Sequence, residues 1–246
     1  MTMQRARRLA TAAVVASLAV TGLSACRSEP TVAAYVGKDG RITEARVQRV
    51  WNEAQAAVTA APAQDGKPAQ ARITRSDVVR TLLAVPILDE VAKRASVTLP
   101  PQVDTSEAVA TTGVPAQTEF TQLYAHADTL VKLLRQQAQN APEPSEADLR
   151  SVYDALVAAG EAQPGSFDSF KSSLPPQNAA LLRSSTAVRD EIKQVTAPMS
   201  IRVNPRYQPL AISVLDLQTQ TGATKPLITA PLGVDEDSAP VVSDAS

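Results

Sequence analysis

Between Thr74 and Pro100 apolar residues return at Val78, Val79, Leu82, Leu83, Ile87, Leu88 and Val91. That three- and four-residue spacing lines one wide face of an α-helix and no face of a strand. The segment is the most apolar helical stretch of the chain, so it is expected to lie at the centre of a core that other helices must cover. Thr74-Arg75-Ser76-Asp77 before it offers a hydroxyl and a carboxylate for the unpaired amides of the first turn. Pro86 sits inside the run and removes one backbone hydrogen bond, which predicts a kink near residues 82 to 85.

The same period appears on both sides. After Thr43, placed as a cap, Val47, Val50, Trp51, Ala54 and Val58 form one apolar face until Pro62 ends the helix. Phe120, Leu123, Ala127, Leu130, Val131 and Leu134 form another, and the polar stretch from Pro100 to Pro115 is expected to be a loop. Ser145 to Asp148 repeats the capping pattern before Leu149, Val152, Tyr153 and Leu156, and Gly160 can close that helix. A short helix is expected over 166–170, and a last one from about Gln177 through Leu181, Leu182, Val188, Ile192 and Val195 to a stop at Pro198. Aromatic residues make up only 3% of the chain against 44% hydrophobic residues overall, so the core consists of small aliphatic side chains suited to close helix packing.

Extended structure is expected at the two ends of this body. Val32 to Val36 reads as a buried strand, Gly37-Lys38-Asp39-Gly40 as a turn, and Arg41-Ile42 as a short return strand. Residues 201–203 and 211–215 also look extended, separated by Asn204-Pro205. A lone strand leaves its edge unpaired, so both are expected to pair with the strand at 32–36. The fold class is therefore mainly α: a bundle of about five or six helices with a small β-element joining 32–36 to 201–215. From Thr219 to Ser246 the periodicity fades into Thr, Ala, Pro, Asp and Ser, which reads as a disordered tail.

Ahead of the body lies a different kind of segment. Arg5, Arg7 and Arg8 precede an apolar run from Leu9 to Val20, and Leu23-Ser24-Ala25-Cys26 follows. A basic start, a short apolar stretch and a small-residue cleavage site define an export signal. The run is shorter than the roughly 20 residues a membrane-crossing helix requires. Leu23, Ser24 and Ala25 before Cys26 match the lipobox of bacterial lipoproteins, in which the cysteine is acylated and becomes the new amino terminus. An ordinary secretory signal would leave Cys26, the chain's one cysteine, as an exported thiol with no partner in the chain. Residues 1–25 are accordingly read as a lipoprotein signal peptide, 26–31 as a tether, 32–218 as the body and 219–246 as the tail. This places the protein on the extracytoplasmic face of the cell membrane, held in the bilayer through acylated Cys26.

Cleavage there removes three arginines and no acid, taking the formal net charge from −1 to −4 over 221 remaining residues. A mildly acidic chain does not suggest nucleic acid as a partner. The catalytic inventory is thin. His126 is the only histidine, Cys26 is committed to lipid, and zinc takes several such ligands, so no metal is expected. No Gly-x-Ser-x-Gly, phosphate loop or dinucleotide glycine pattern occurs, so neither a serine nucleophile nor a cofactor is expected. Asp89-Glu90 and Asp190-Glu191 lie in amphipathic helices as solvated faces, and Trp51 lies at core spacing. No enzyme activity is expected.

Three stretches carry a family resemblance. Ala34-Tyr35-Val36-Gly37 through Ile42-Thr43 resembles a strand, turn and Ile-Thr helix start, and Leu82-Leu83 through Ile87-Leu88-Asp89-Glu90-Val91-Ala92-Lys93-Arg94 resembles a long leucine-rich helix. Val203-Asn204-Pro205-Arg206-Tyr207 resembles the closing segment of related lipoproteins. Together they resemble the amino-terminal domain of the SurA and PrsA class of extracytoplasmic chaperones and foldases. The departures are Gly37-Lys38-Asp39-Gly40 in place of an Asn-Gly turn, Ala95-Ser96 where a glycine is common, and Pro86 within the helix. No parvulin insert with its histidines occurs between Pro144 and Pro198, so prolyl isomerase activity is not implied. The resemblance implies ATP-independent, chaperone-like binding of unfolded exported polypeptides. The alternative is a scaffold lipoprotein recognising one specific envelope protein.

Overall fold

A computed structural model describes residues 31–37, 40–62, 69–219 and 224–233. Strands β1 (Val32–Val36) and β2 (Gly40–Thr43) lead into helices α1 (Glu44–Ala60) and α2 (Arg75–Arg94). Then come α3 (Ser106–Thr112), α4 (Glu119–Gln137), α5 (Glu146–Ala159), α6 (Phe167–Ser173) and α7 (Pro176–Thr196). Strands β3 (Arg202–Val203), β4 (Leu210–Gln218) and β5 (Thr224–Leu232) close the described chain. The protein is mainly helical, with small antiparallel sheets in which the early strand pairs with a later one.

The caps form as the sequence implies. Asp77 N donates to Thr74 Oγ1 at 3.2 Å while Thr74 N donates to Asp77 Oδ2 at 2.7 Å, and Ser145 with Asp148 builds the same reciprocal box on α5. Each box satisfies two amides that would otherwise lack helical partners. Gly160 ends α5 at φ 79°, a left-handed turn that only glycine adopts without strain.

Helix α2 is the centre of the core. Val78, Val79, Leu83, Ile87 and Leu88 are fully buried, each contributing about 1.5 to 3 kcal/mol of transfer free energy. Helices α1, α4 and α7 pack on it through Val47, Val50, Ala54, Leu130, Leu134, Val188 and Ile192. Pro86 sits within a helix that runs on to Arg94, with its ring on an exposed position.

Four expectations need correction. Helix α3 interrupts the expected 100–115 loop, burying Ala108 and Thr112; seven residues are too few to show a helical period. It makes the described helices seven rather than five or six. Strand β3 pairs with β1 as expected, at Ala34↔Val203 and Tyr35↔Arg202, but β4 does not. With β2 on the other edge of β1, neither edge is left for it, and β4 pairs instead with β5 along nine residues. Residues 224–232 are therefore a strand rather than part of a disordered tail. Ile228, Ala230 and Leu232 alternate inward, and Pro226 and Pro231, on a strand with an unpaired edge, disguise that pattern. Residues 234–246 lie outside the described residues.

Candidate functional site

Helices α5, α6 and the start of α7 frame an opening of about 210 Å³ lined by Glu143, Pro144, Leu149, Lys171, Leu174 and Ala179. The geometry follows from local sequence. Leu174 is followed by Pro175 and Pro176, which end α6 and start α7, with Pro176 at the first turn where its missing N–H costs nothing. On the other side, Tyr153 of α5 packs against Phe167 and Phe170 of α6 at 5.6 Å between ring centres. Tyr153 Oη donates to Gln163 O and accepts from Ser166 N at 2.8 Å, which fixes the α5–α6 turn. Arg150 stacks its guanidinium 3.7 Å over Phe167.

The walls of the opening are apolar and half-buried, and opposite charges stand at its rim. Glu143 pairs with Arg183 of α7, and Lys171 lies 3.7 Å from Glu146. Pockets for drug-sized ligands run from about 300 Å³ upward. At about 210 Å³ the opening falls below that range.

Behind it, Arg189 of α7 ties α5 down through Asp148, both largely shielded from solvent. Burial opposes the Asp148 charge, but hydrogen bonds from Arg189 and Ser145 outweigh it and hold the carboxyl below its ordinary value. A small polar recess of about 90 Å³ separates this pair from Leu227, Ile228 and Thr229 of β5.

Leu23, Ser24, Ala25 and Cys26 lie outside the described residues. His126 lies on α4 with Nε2 2.7 Å from Asp89 Oδ1 of α2, a half-exposed pair that fastens the two helices. Trp51 is half-buried against the core, with Arg75 lying 5.3 Å over its ring. Among the described residues no group of three or more His, Cys, Asp and Glu could hold a metal ion, and no helix is long and apolar enough to cross a membrane. Sequence reasoning placed Leu149 on an amphipathic helix but singled out none of the other lining residues. The Leu174-Pro175-Pro176 break between two helices is the signal that marks the opening.

No family model matches the chain, and neither a curated protein nor a solved structure matches it.

Proposed function

We propose that the chain is a lipid-anchored extracytoplasmic protein that holds extended segments of exported polypeptides without ATP. The observation that carries this reading is the α5–α6–α7 opening, whose apolar walls and charged rim fit a side chain on an extended main chain. The reading is further supported by the meeting of the three stretches that resemble the SurA and PrsA amino-terminal domain. Strand β1 pairs with β3, α2 packs on β1, and Tyr207 bonds to the first residue of α1. Lipid anchoring rests on Leu23-Ser24-Ala25-Cys26 and on Cys26 being the one cysteine.

A dedicated envelope partner is the second reading. Leu181, at 40% relative exposure, is the one large hydrophobic residue standing out from the described surface, and a general holding chaperone would be expected to show more. The mature chain, mixed at equal amounts with a chemically unfolded exported protein, distinguishes the two. Slowed light-scattering growth supports the holding activity. No effect on several clients, with one dominant partner recovered by crosslinking in cells, supports the second reading.

A further inference from the structure

In the three-stranded sheet, Tyr35 of β1 stands directly opposite Arg41 of β2 on one side and Arg202 of β3 on the other. Directly opposed residues project to the same face, so the three side chains form one row across the sheet. Arg41 and Arg202 are exposed, Tyr35 is half-buried, and the Arg202 guanidinium lies 4.9 Å from the centre of the Tyr35 ring. Among the described residues neither arginine forms an ion pair with a carboxylate, whereas Arg46 and Arg206 each have one, Glu119 and Glu44. Among the described residues these two charges therefore have no carboxylate partner on the exposed face of the sheet.

The position of this row relative to the anchor gives it an occupant. Five residues separate Cys26 from Val32, and a fully extended chain advances at most about 3.6 Å per residue. A lipid on Cys26 therefore keeps the start of β1 within about 20 Å of the bilayer, and β1 is the middle strand of this sheet. Guanidinium groups pair with phosphate, and aromatic side chains favour the headgroup level.

From the row and the short tether we infer that the Arg41–Tyr35–Arg202 face docks on anionic phospholipid headgroups of the anchoring bilayer. The inference rests on the lipid-anchored reading of Cys26. Docking fixes the orientation of the body on the membrane, where a tether alone would let it swing. A basic residue near an anionic surface contributes enough for the two arginines together to favour the docked orientation by about thirtyfold, an effect that salt weakens.

The test uses the single cysteine. The mature chain beginning at Cys26 is coupled through that thiol to a maleimide lipid, in vesicles of phosphatidylcholine alone or with about one third phosphatidylglycerol. This supplies the anchor chemically, so failure of the docking face is separable from failure of acylation in cells, which palmitate labelling of wild type and Cys26→Ser reads independently. Hydrogen exchange of 32–36, 40–43 and 202–206 is expected to slow on the anionic vesicles only. High salt and the Arg41→Gln/Arg202→Gln variant are expected to reverse the effect, and Arg41→Lys/Arg202→Lys to retain most of it. A thermal melt confirms that the variants fold. Equal exchange on both vesicle types overturns the inference. So does protection independent of lipid charge that disappears in Asp235→Asn/Glu236→Gln/Asp237→Asn, which would assign the row to the acidic carboxy-terminal segment.

Discussion

Tyr207 Oη donates a hydrogen bond to Glu44 Oε2 at 2.7 Å, tying the first turn of α1 to a turn 163 residues later in the chain. Arg206 pairs with the other oxygen of the same carboxylate, and Asn204 N donates to Ala33 O at 2.9 Å. The residues that enter the body and those that leave the helical bundle are thus held by one short segment, Asn204 to Tyr207. The contact is one of several that join the two ends of the helical body across this long separation in sequence.

Tyr207→Phe keeps the buried ring and removes only the bond to the carboxylate. A hydrogen bond to a charged group contributes about 1.5 to 3 kcal/mol, and Arg206 still holds Glu44, so the expected loss is near the lower value, about 1.5 kcal/mol. Urea unfolding of the variant beside wild type measures it. An unchanged midpoint would mean that the Arg206 pair alone secures the junction.

Ser185 lies fully buried in α7, and its hydroxyl finds no hydrogen-bond partner among the described residues, whereas the neighbouring Ser184 and Thr186 hydroxyls bond back to Leu181 O and Arg183 O. A buried hydroxyl without a partner is costly, and alanine is the better helix former. Ser185→Ala should stabilise the protein by about 1 kcal/mol in equilibrium unfolding.

Burial, reinforced by the charges of Asp128 and Asp216, raises the Tyr124 phenol from 10.0 to about 12. The folded chain then holds this proton more tightly than the unfolded chain does. Its contribution to stability is complete below pH 10.0 and declines as the pH rises toward about 12. Tyr207 shifts in the same direction, through burial and its bond to Glu44. Tyr124→Phe should therefore make the alkaline loss of stability shallower without abolishing it, as read by urea midpoints at about pH 9 and about pH 11.

How much of this could be read in the sequence depended on the range of the interaction responsible. The two capping boxes, the left-handed Gly160 and the buried faces of α1, α2, α4 and α7 arise from residues within a few positions of one another. The spacing of Thr74 with Asp77, or of Val47 with Val50 and Ala54, is enough to reveal them. The choice of partner for β4 is different, because it depends on β1 having both edges filled and on a strand that Pro226 and Pro231 disguise. The α5–α6–α7 opening lies further out of reach. Lys171, Leu174 and Ala179 have no shared period and become neighbours only once Tyr153 packs on Phe167 and Phe170.

Cys26→Ser removes the chain's one thiol, the group that the lipid-anchored reading acylates. The variant should lose palmitate labelling and leave the membrane fraction, while its unfolding midpoint stays that of wild type. Retention in the membrane fraction without labelling would point to an uncleaved signal as the anchor.

The central claim is that an exported polypeptide segment occupies the opening between α5, α6 and α7. It is tested most directly by placing a photoreactive amino acid at Ala179, which lines that opening, and irradiating the mature chain with an unfolded exported client. The account predicts a client crosslink that an excess of a second unfolded client suppresses and that the same probe at exposed Arg49 on α1 does not give. Crosslinks of equal strength from both positions, or none from Ala179 under conditions where client aggregation is slowed, would contradict it.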